Sequence, residues 1–264
     1  MKNQYFGDIG DYGKYSLLRA FANSGVIVGL NWYLTKDDGS ADGKFVEYLK
    51  KKDDESYDPE LFNCLKTMVI KNKKRDVEAF EKENMIPNAL YYHAILDTSA
   101  GSNKEEKTAI RKNWHEEALK QLESTNLVFL DPDNGMKEEP ITGRDSIKYA
   151  YISEAEDYYN RGQNIVYYCH KGRRTWDQWE KAKGLMKQHV TDAMYMALTL
   201  HRGTQRTFIF AIHEEDFKEY NQIIKKFINS GWGKQFTEEP VGDEYSSEKL
   251  TGDKLTIKLK TTKQ

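Results

Sequence analysis

The stretch Asn126-Leu127-Val128-Phe129-Leu130-Asp131-Pro132-Asp133-Asn134-Gly135 decides how this chain reads. Four apolar residues, 127 to 130, run without a break and stop at an aspartate. A short apolar run closed by turn residues is the pattern of a strand buried on both faces, as in the middle of a parallel sheet. Pro132 has no N–H to give to a sheet ladder and Asn134-Gly135 favours a tight reversal, so the strand ends at Asp131. Ligands of open α/β sheets bind at the carboxyl ends of the strands. Asp131 and Asp133 are thereby placed at a candidate site; the plainer alternative is that Asp-Pro-Asp-Asn-Gly is only a well-made turn.

Outward from this strand, helices and strands alternate. Upstream, residues 103–122 carry Ile110, Trp114, Ala118, Leu119 and Leu122 at helical spacing. Downstream come a polar loop over 136–145, a helix over 146–160 closed by Arg161-Gly162, and a strand over 164–169. That strand empties into His170-Lys171-Gly172-Arg173-Arg174-Thr175. Lys171, Arg173 and Arg174 form a local basic loop of the kind that grips phosphate or a nucleic-acid backbone, although a solvated connection has the same composition. A helix rich in Trp and Lys follows through His189. Two runs, 193–200 and 206–212, are separated by five residues, a link short enough to demand antiparallel pairing. A helix over 217–228 stops at Gly231-Trp232-Gly233, and residues 241–264 read as a tail or an edge strand near 254–260.

Toward the start, Asp8, Asp11 and three glycines precede a helix expected to begin at Asp11 as N-cap and to run to Ala22. Residues 26–35 are β-branched and aromatic and predict the first strand. It opens into Lys36-Asp37-Asp38-Gly39-Ser40-Ala41-Asp42-Gly43, with a helix expected from Lys44. A strand, an acidic glycine-containing loop and a helix form the opening of a nucleotide- or cofactor-binding unit, although the close Gly-x-Gly spacing is missing. Residues 53–87 read as a helical insertion, and 90–96 as the next strand, with His93 a packed strand residue. The whole predicts one Rossmann-like α/β domain over 1–240 with a mostly parallel sheet.

Composition narrows the class. A 38% hydrophobic and 31% charged chain with no long apolar run is expected to be soluble, without membrane span or signal peptide. Cys64 and Cys169 lie far apart without metal-ligand spacing, which points to a reducing cytoplasm rather than a disulfide framework. The net charge of −2 excludes a globally basic nucleic-acid coat but leaves room for a local basic patch. Trp176, Trp179 and the tyrosines of 151–159 face either a partner or the core, so the oligomeric state stays open.

Two motifs resemble a known family. Gly7-Asp8-Ile9-Gly10-Asp11-Tyr12-Gly13-Lys14 is similar to the Gly-Asn-x-x-Asp-x-x-Lys segment of the large-subunit ribosomal RNA adenine methyltransferases. Asp131-Pro132-Asp133-Asn134 falls where that family carries its catalytic Asp-Pro-Pro-Tyr tetrad. The chain resembles the three-Cys-motif partner proteins more loosely. The resemblance implies S-adenosylmethionine as cofactor and a nucleic acid or nucleotide as substrate. Asp131 and the Pro132 carbonyl would hold an exocyclic amine, Gly39 and Gly43 would admit the cofactor, Asp38 or Asp42 would bind its ribose or amino group, and Lys14 its carboxylate. Asp8 and Asp11 would form the lip. The sequence departs from the family at the loop of 37–43, where three acids replace a glycine-rich turn, and at Asn134, which replaces the aromatic that stacks on a flipped base.

Two other readings compete. Asp8, Asp11, Asp38, Asp131 and Asp133 could bind Mg²⁺ for a phosphodiesterase or nuclease, with His170 as general acid/base and Lys171 and Arg173 on the phosphate. Alternatively the chain is a non-catalytic Rossmann-like protein that binds a nucleotide or a partner.

Overall fold

The structure, a computed structural model, describes residues 1–40, 43–138 and 144–241, with backbone alone at 144 and 145. Asp42 and the edge strand expected at 254–260 lie outside the described residues.

In chain order the elements are α1 (Ile9–Ala22), β1 (Val28–Asn31), α2 (Lys52–Glu55), α3 (Pro59–Lys66), α4 (Val77–Lys82), β2 (Leu90–Tyr92), α5 (Lys104–Gln121) and β3 (Leu127–Leu130). There follow β4 (Met136–Lys137), β5 (Ala150–Tyr151), α6 (Ile152–Asn160), β6 (Asn164–His170), α7 (Trp176–Gly184), β7 (Met194–Leu200), β8 (Arg206–Ile212), α8 (Glu214–Ile228) and β9 (Phe236–Glu239). The main sheet has the order β2-β1-β3-β6-β8-β7-β9. Its first four strands are parallel, and β8 lies antiparallel between β6 and β7. The α/β, Rossmann-like architecture is the one the alternation predicts.

The apolar run of β3 is central, as its composition requires. Leu127 and Phe129 face one core, with α1, α3 and α8; Val128 and Leu130 face the other, with α5, α6 and α7. Period-two alternation thus feeds two cores from one strand, which is why the run lacks polar residues. Burial of all four side chains contributes several kcal/mol, at about 1.5–3 kcal/mol each. Asp131 closes the ladder, its N–H bonding to the Asn31 carbonyl at 3.0 Å.

Local structure departs from expectation in six places. α1 begins at Ile9 and is capped by Asp8, which accepts from the Gly10 and Asp11 amides; Asp11 lies inside the first turn. β1 is shorter than 26–35 because Tyr33 turns left-handed (φ 44°) and takes the chain out of the ladder. β2 likewise ends at Tyr92 rather than 96. The helix expected from Lys44 is a 3-10 turn at Glu47–Lys50 followed by the single-turn α2. The helix expected over 146–160 starts only at Ile152. Its upstream residues hold the Asp-Pro-Asp-Asn-Gly turn: Asn134 N–H bonds to the Lys148 carbonyl (2.8 Å), and Ala150 N–H to the Gly135 carbonyl (3.1 Å). β9 was not anticipated; it adds the far edge beside β7.

Candidate functional site at the switch point of the sheet

The neighbours of β1 are β2 on one side and β3 on the other, so the chain order reverses between β1 and β3. A crevice of about 400 Å³ opens beside their carboxyl ends. Its size is that of a small-molecule site.

Lys14, on the second turn of α1, is the central cation. Its Nζ lies 2.8 Å from Asp11 Oδ1 and 2.7 Å from Asp131 Oδ2, and all three side chains are buried. Burial alone would lower the Lys14 pKa, but Asp11 and Asp131 outweigh it and raise it, so the ammonium stays charged. Burial raises the Asp11 pKa, with Asp8 and Asp131 adding to it and Lys14 opposing. The other Asp11 oxygen accepts the Gly7 amide at 2.8 Å.

Asp8 meets Arg206 at the start of β8, Nη2 to Oδ2 2.7 Å. Gly10 makes this possible: a Cβ there would lie 1.0 Å from Arg206 Nη1. Beside Arg206, burial pushes the Tyr168 hydroxyl up to about 12, and burial with Arg174 and Arg206 pushes the His170 imidazole down to about 4. His170 is therefore neutral at pH 7.

An ammonium is held between β1 and β3. The α-amino group of Met1 donates to the carbonyls of Tyr33 (3.1 Å) and Asp131 (3.0 Å) and pairs with Asp133 Oδ1 at 2.9 Å. Tyr33 presents its carbonyl from a left-handed backbone that a non-glycine residue adopts only when its surroundings fix it. Here they do. Its amide bonds to Asn31 Oδ1 (3.2 Å), and its hydroxyl donates to Glu154 Oε2 (3.0 Å). Glu154 is in turn clamped by Arg111, whose Nε and Nη2 lie 2.6 and 2.8 Å from its two oxygens. Arg111 also donates to the carbonyls of Ser146 and Tyr149, so one buried network steadies both walls of the crevice.

Asp38 caps the crevice from the loop after β1. Lys2 pairs with it at 2.6 Å and holds its carboxyl well below the usual range. Gly39 (φ 69°) is exposed with open space around its Cα. Gly43 (φ 76°) packs on the backbone of Gln4 and Tyr5, where a Cβ would come within 2.7 Å. Its glycine is thus required by the N-terminal turn. Arg174 ties the basic loop to the motif, donating to the His170 and Asn134 carbonyls at 2.6 and 3.1 Å. Lys171 lies over the Trp176 ring, and Arg173 is exposed.

Ten of the residues singled out from sequence therefore line one crevice: Asp8, Asp11, Lys14, Asp38, Gly43, Asp131, Pro132, Asp133, Asn134 and His170. Gly39, Lys171, Arg173 and Arg174 lie outside its lining. Sequence reasoning missed Lys2, Tyr33, Phe45, Tyr168, Arg206 and the Arg111–Glu154 pair. Arg206 had one signal, a cation at the mouth of a short antiparallel link; the others had none. Among the described residues no group of three or more His, Cys, Asp or Glu is arranged to hold a metal ion. Each crevice acid already meets a cation, Asp8 on Arg206, Asp11 and Asp131 on Lys14, Asp38 on Lys2, and Asp133 on Met1. Among the described residues no helix is long and apolar enough to cross a membrane.

No protein-family model matches the chain, and no curated protein matches its sequence. Chemically, the site offers carbonyl and carboxylate acceptors for an ammonium, a neutral imidazole, and a partly buried guanidinium.

Proposed function

We propose that the protein is an S-adenosylmethionine-dependent, methyltransferase-like protein acting on a nucleic acid or nucleotide, with the crevice between β1 and β3 as its cofactor site. The observation that carries the reading is the acceptor set of Tyr33 O, Asp131 O and the Asp133 carboxylate, which holds an α-ammonium at the switch point. The cofactor is an amino acid at one end, and its ammonium would take the acceptors that Met1 uses. When bound, it supplies an electrophilic methyl group.

The chain's own residues do the rest. Tyr33, locked by Asn31 and Glu154, keeps its carbonyl aimed without reorganisation, which is how a preorganised site gains affinity. Asp38 faces the crevice from above β1 and is suited to accept hydroxyl protons. Asp131 and the Pro132 carbonyl stand beside it to orient an incoming amine, a contribution mainly of position. His170 lines the same crevice and presents an uncharged imidazole to it at pH 7. Lys14, tied to two carboxylates, serves to fix Asp131 rather than to meet a ligand.

The test is a thermal-shift titration with S-adenosylmethionine and S-adenosylhomocysteine. Saturation at one hundred times the dissociation constant is expected to stabilise the protein by about 2.7 kcal/mol. No upward shift with millimolar ligand would sink the assignment. One observation favours a second reading, a non-catalytic binding protein: Lys14 occupies the Asp131 carboxylate at 2.7 Å. That reading expects no methyl transfer, and transfer of a labelled methyl group to RNA or DNA excludes it.

A further inference from the structure

We propose that the rim of the crevice is a track for single-stranded nucleic acid, with one base stacked on Phe45 and another on Trp176. The inference rests on the proposed reading of the crevice and names its substrate class. Most large aromatic rings here are buried and packed on one another. Phe45 and Trp176 are exceptions: Phe45 is 57% exposed, the most exposed large hydrophobic side chain among the described residues, and it lines the crevice. Its ring takes part in no aromatic pair among the described residues.

The backbone presents that ring deliberately. Gly43 seats the chain on the backbone of Gln4 and Tyr5, and the Phe45 carbonyl accepts the Ile9 amide at 3.0 Å, which ties the segment to the start of α1. The ring is thus exposed on a fixed backbone rather than on a loose loop. Trp176, 47% exposed, begins α7 just past the crevice-lining residues His170 and Gly172. Its edge-to-face packing on Trp179, 5.2 Å between centroids, fixes its orientation.

Charge selects the partner. Exposed Lys44 precedes Phe45, and exposed Arg173 lies near Trp176; neither forms an ion pair among the described residues. Lys171, over the Trp176 ring, has none either. The acids inside the crevice are each paired, so they oppose an approaching phosphate only weakly. Alternating aromatic platforms and cations suit a strand whose bases are unstacked, because a platform needs a free base face.

The test uses the full chain and a short single-stranded oligonucleotide carrying one 2-aminopurine, followed by probe and tryptophan fluorescence. Expected are quenching of both signals, and roughly ten- to hundredfold weaker binding for Phe45→Ala and for Trp176→Ala. Phe45→Tyr retains affinity. Arg173→Gln and Lys44→Gln each lower the salt slope by about 0.7. Equal affinity for the duplex form, or binding untouched by both alanine variants, would overturn the proposal. A protein stabilised by S-adenosylhomocysteine that binds no oligonucleotide loses this inference alone. One that binds the strand through these rings without a cofactor shift keeps it and loses the cofactor reading.

Discussion

Lys14 sets the electrostatics of the crevice at the scale of single residues. Removing one member of a buried ion cluster leaves its partners charged and unpaired, so Lys14→Met is expected to cost about 3–5 kcal/mol in urea unfolding. The double variant Lys14→Met/Asp131→Asn should recover part of that loss, because the second change removes one stranded carboxylate. His170 makes a pH prediction. Its imidazole is held at about 4 in the folded protein, below its ordinary value of 6.5, chiefly by burial. The unfolded chain therefore takes up the proton first. Its contribution is complete above about pH 6.5 and is lost as pH falls through about 4, on the order of 3 kcal/mol in total. The stability difference between the wild type and His170→Gln should shift against the wild type by that amount as pH falls across the window. Parallel curves would show that His170 is solvated.

At the scale of elements, α1 organises the site from its first turn. Asp8 both caps the helix and receives Arg206, and Gly10 leaves the space for that guanidinium. Gly10→Ala should favour the helix intrinsically, yet the new methyl would drive Arg206 off Asp8. We expect a net loss of about 1–3 kcal/mol from this overpacking. In a double-mutant cycle, Gly10→Ala on an Arg206→Ala background should cost clearly less, and an additive result would exclude the clash as the cause. The end of β1 depends similarly on α5 and α6 through Arg111 and Glu154. Tyr33→Phe removes the hydroxyl that reaches Glu154 and should destabilise by about 1–2 kcal/mol, measurable by urea titration. If Tyr33 serves as an acceptor for the cofactor, the same variant should bind S-adenosylhomocysteine more weakly as well.

On the scale of the whole molecule, one sheet separates two aromatic-rich cores and brings distant segments to a single edge. Burial pushes the thiols of Cys64 and Cys169 up to about 11, so neither is a nucleophile at pH 7. Cys169 is fully buried and should react with a disulfide reagent only as the protein opens, so its rate should follow urea stability; half-buried Cys64 should react first. Fast modification of both in the native state would contradict the packing of β6. The net charge of −2 hides the distribution that matters here, with paired acids inside the crevice and, at its rim, Lys44 and Arg173, which form no ion pair among the described residues.

Local chemistry made much of this legible in the sequence. The unbroken run 127–130, its stop at Asp-Pro-Asp-Asn-Gly, and the five-residue link between β7 and β8 depend on hydrogen-bonding capacity and chain geometry that each residue carries with it. They determined the α/β class, the central strand and the edge at which Asp8, Asp11, Asp131, Asp133 and His170 meet. What only the tertiary structure decided is how those charges are used. Lys14 is spent on Asp11 and Asp131, Gly43 on the Tyr5 backbone, and Gly10 on Arg206, nearly two hundred residues away in sequence. Nor did spacing reveal that Glu154 and Arg111 would fix Tyr33, or that the Phe45 ring would stand exposed at the mouth. Ion pairs and close approaches between segments far apart in the chain leave no periodic trace, because they depend on distances that exist only once the sheet has formed.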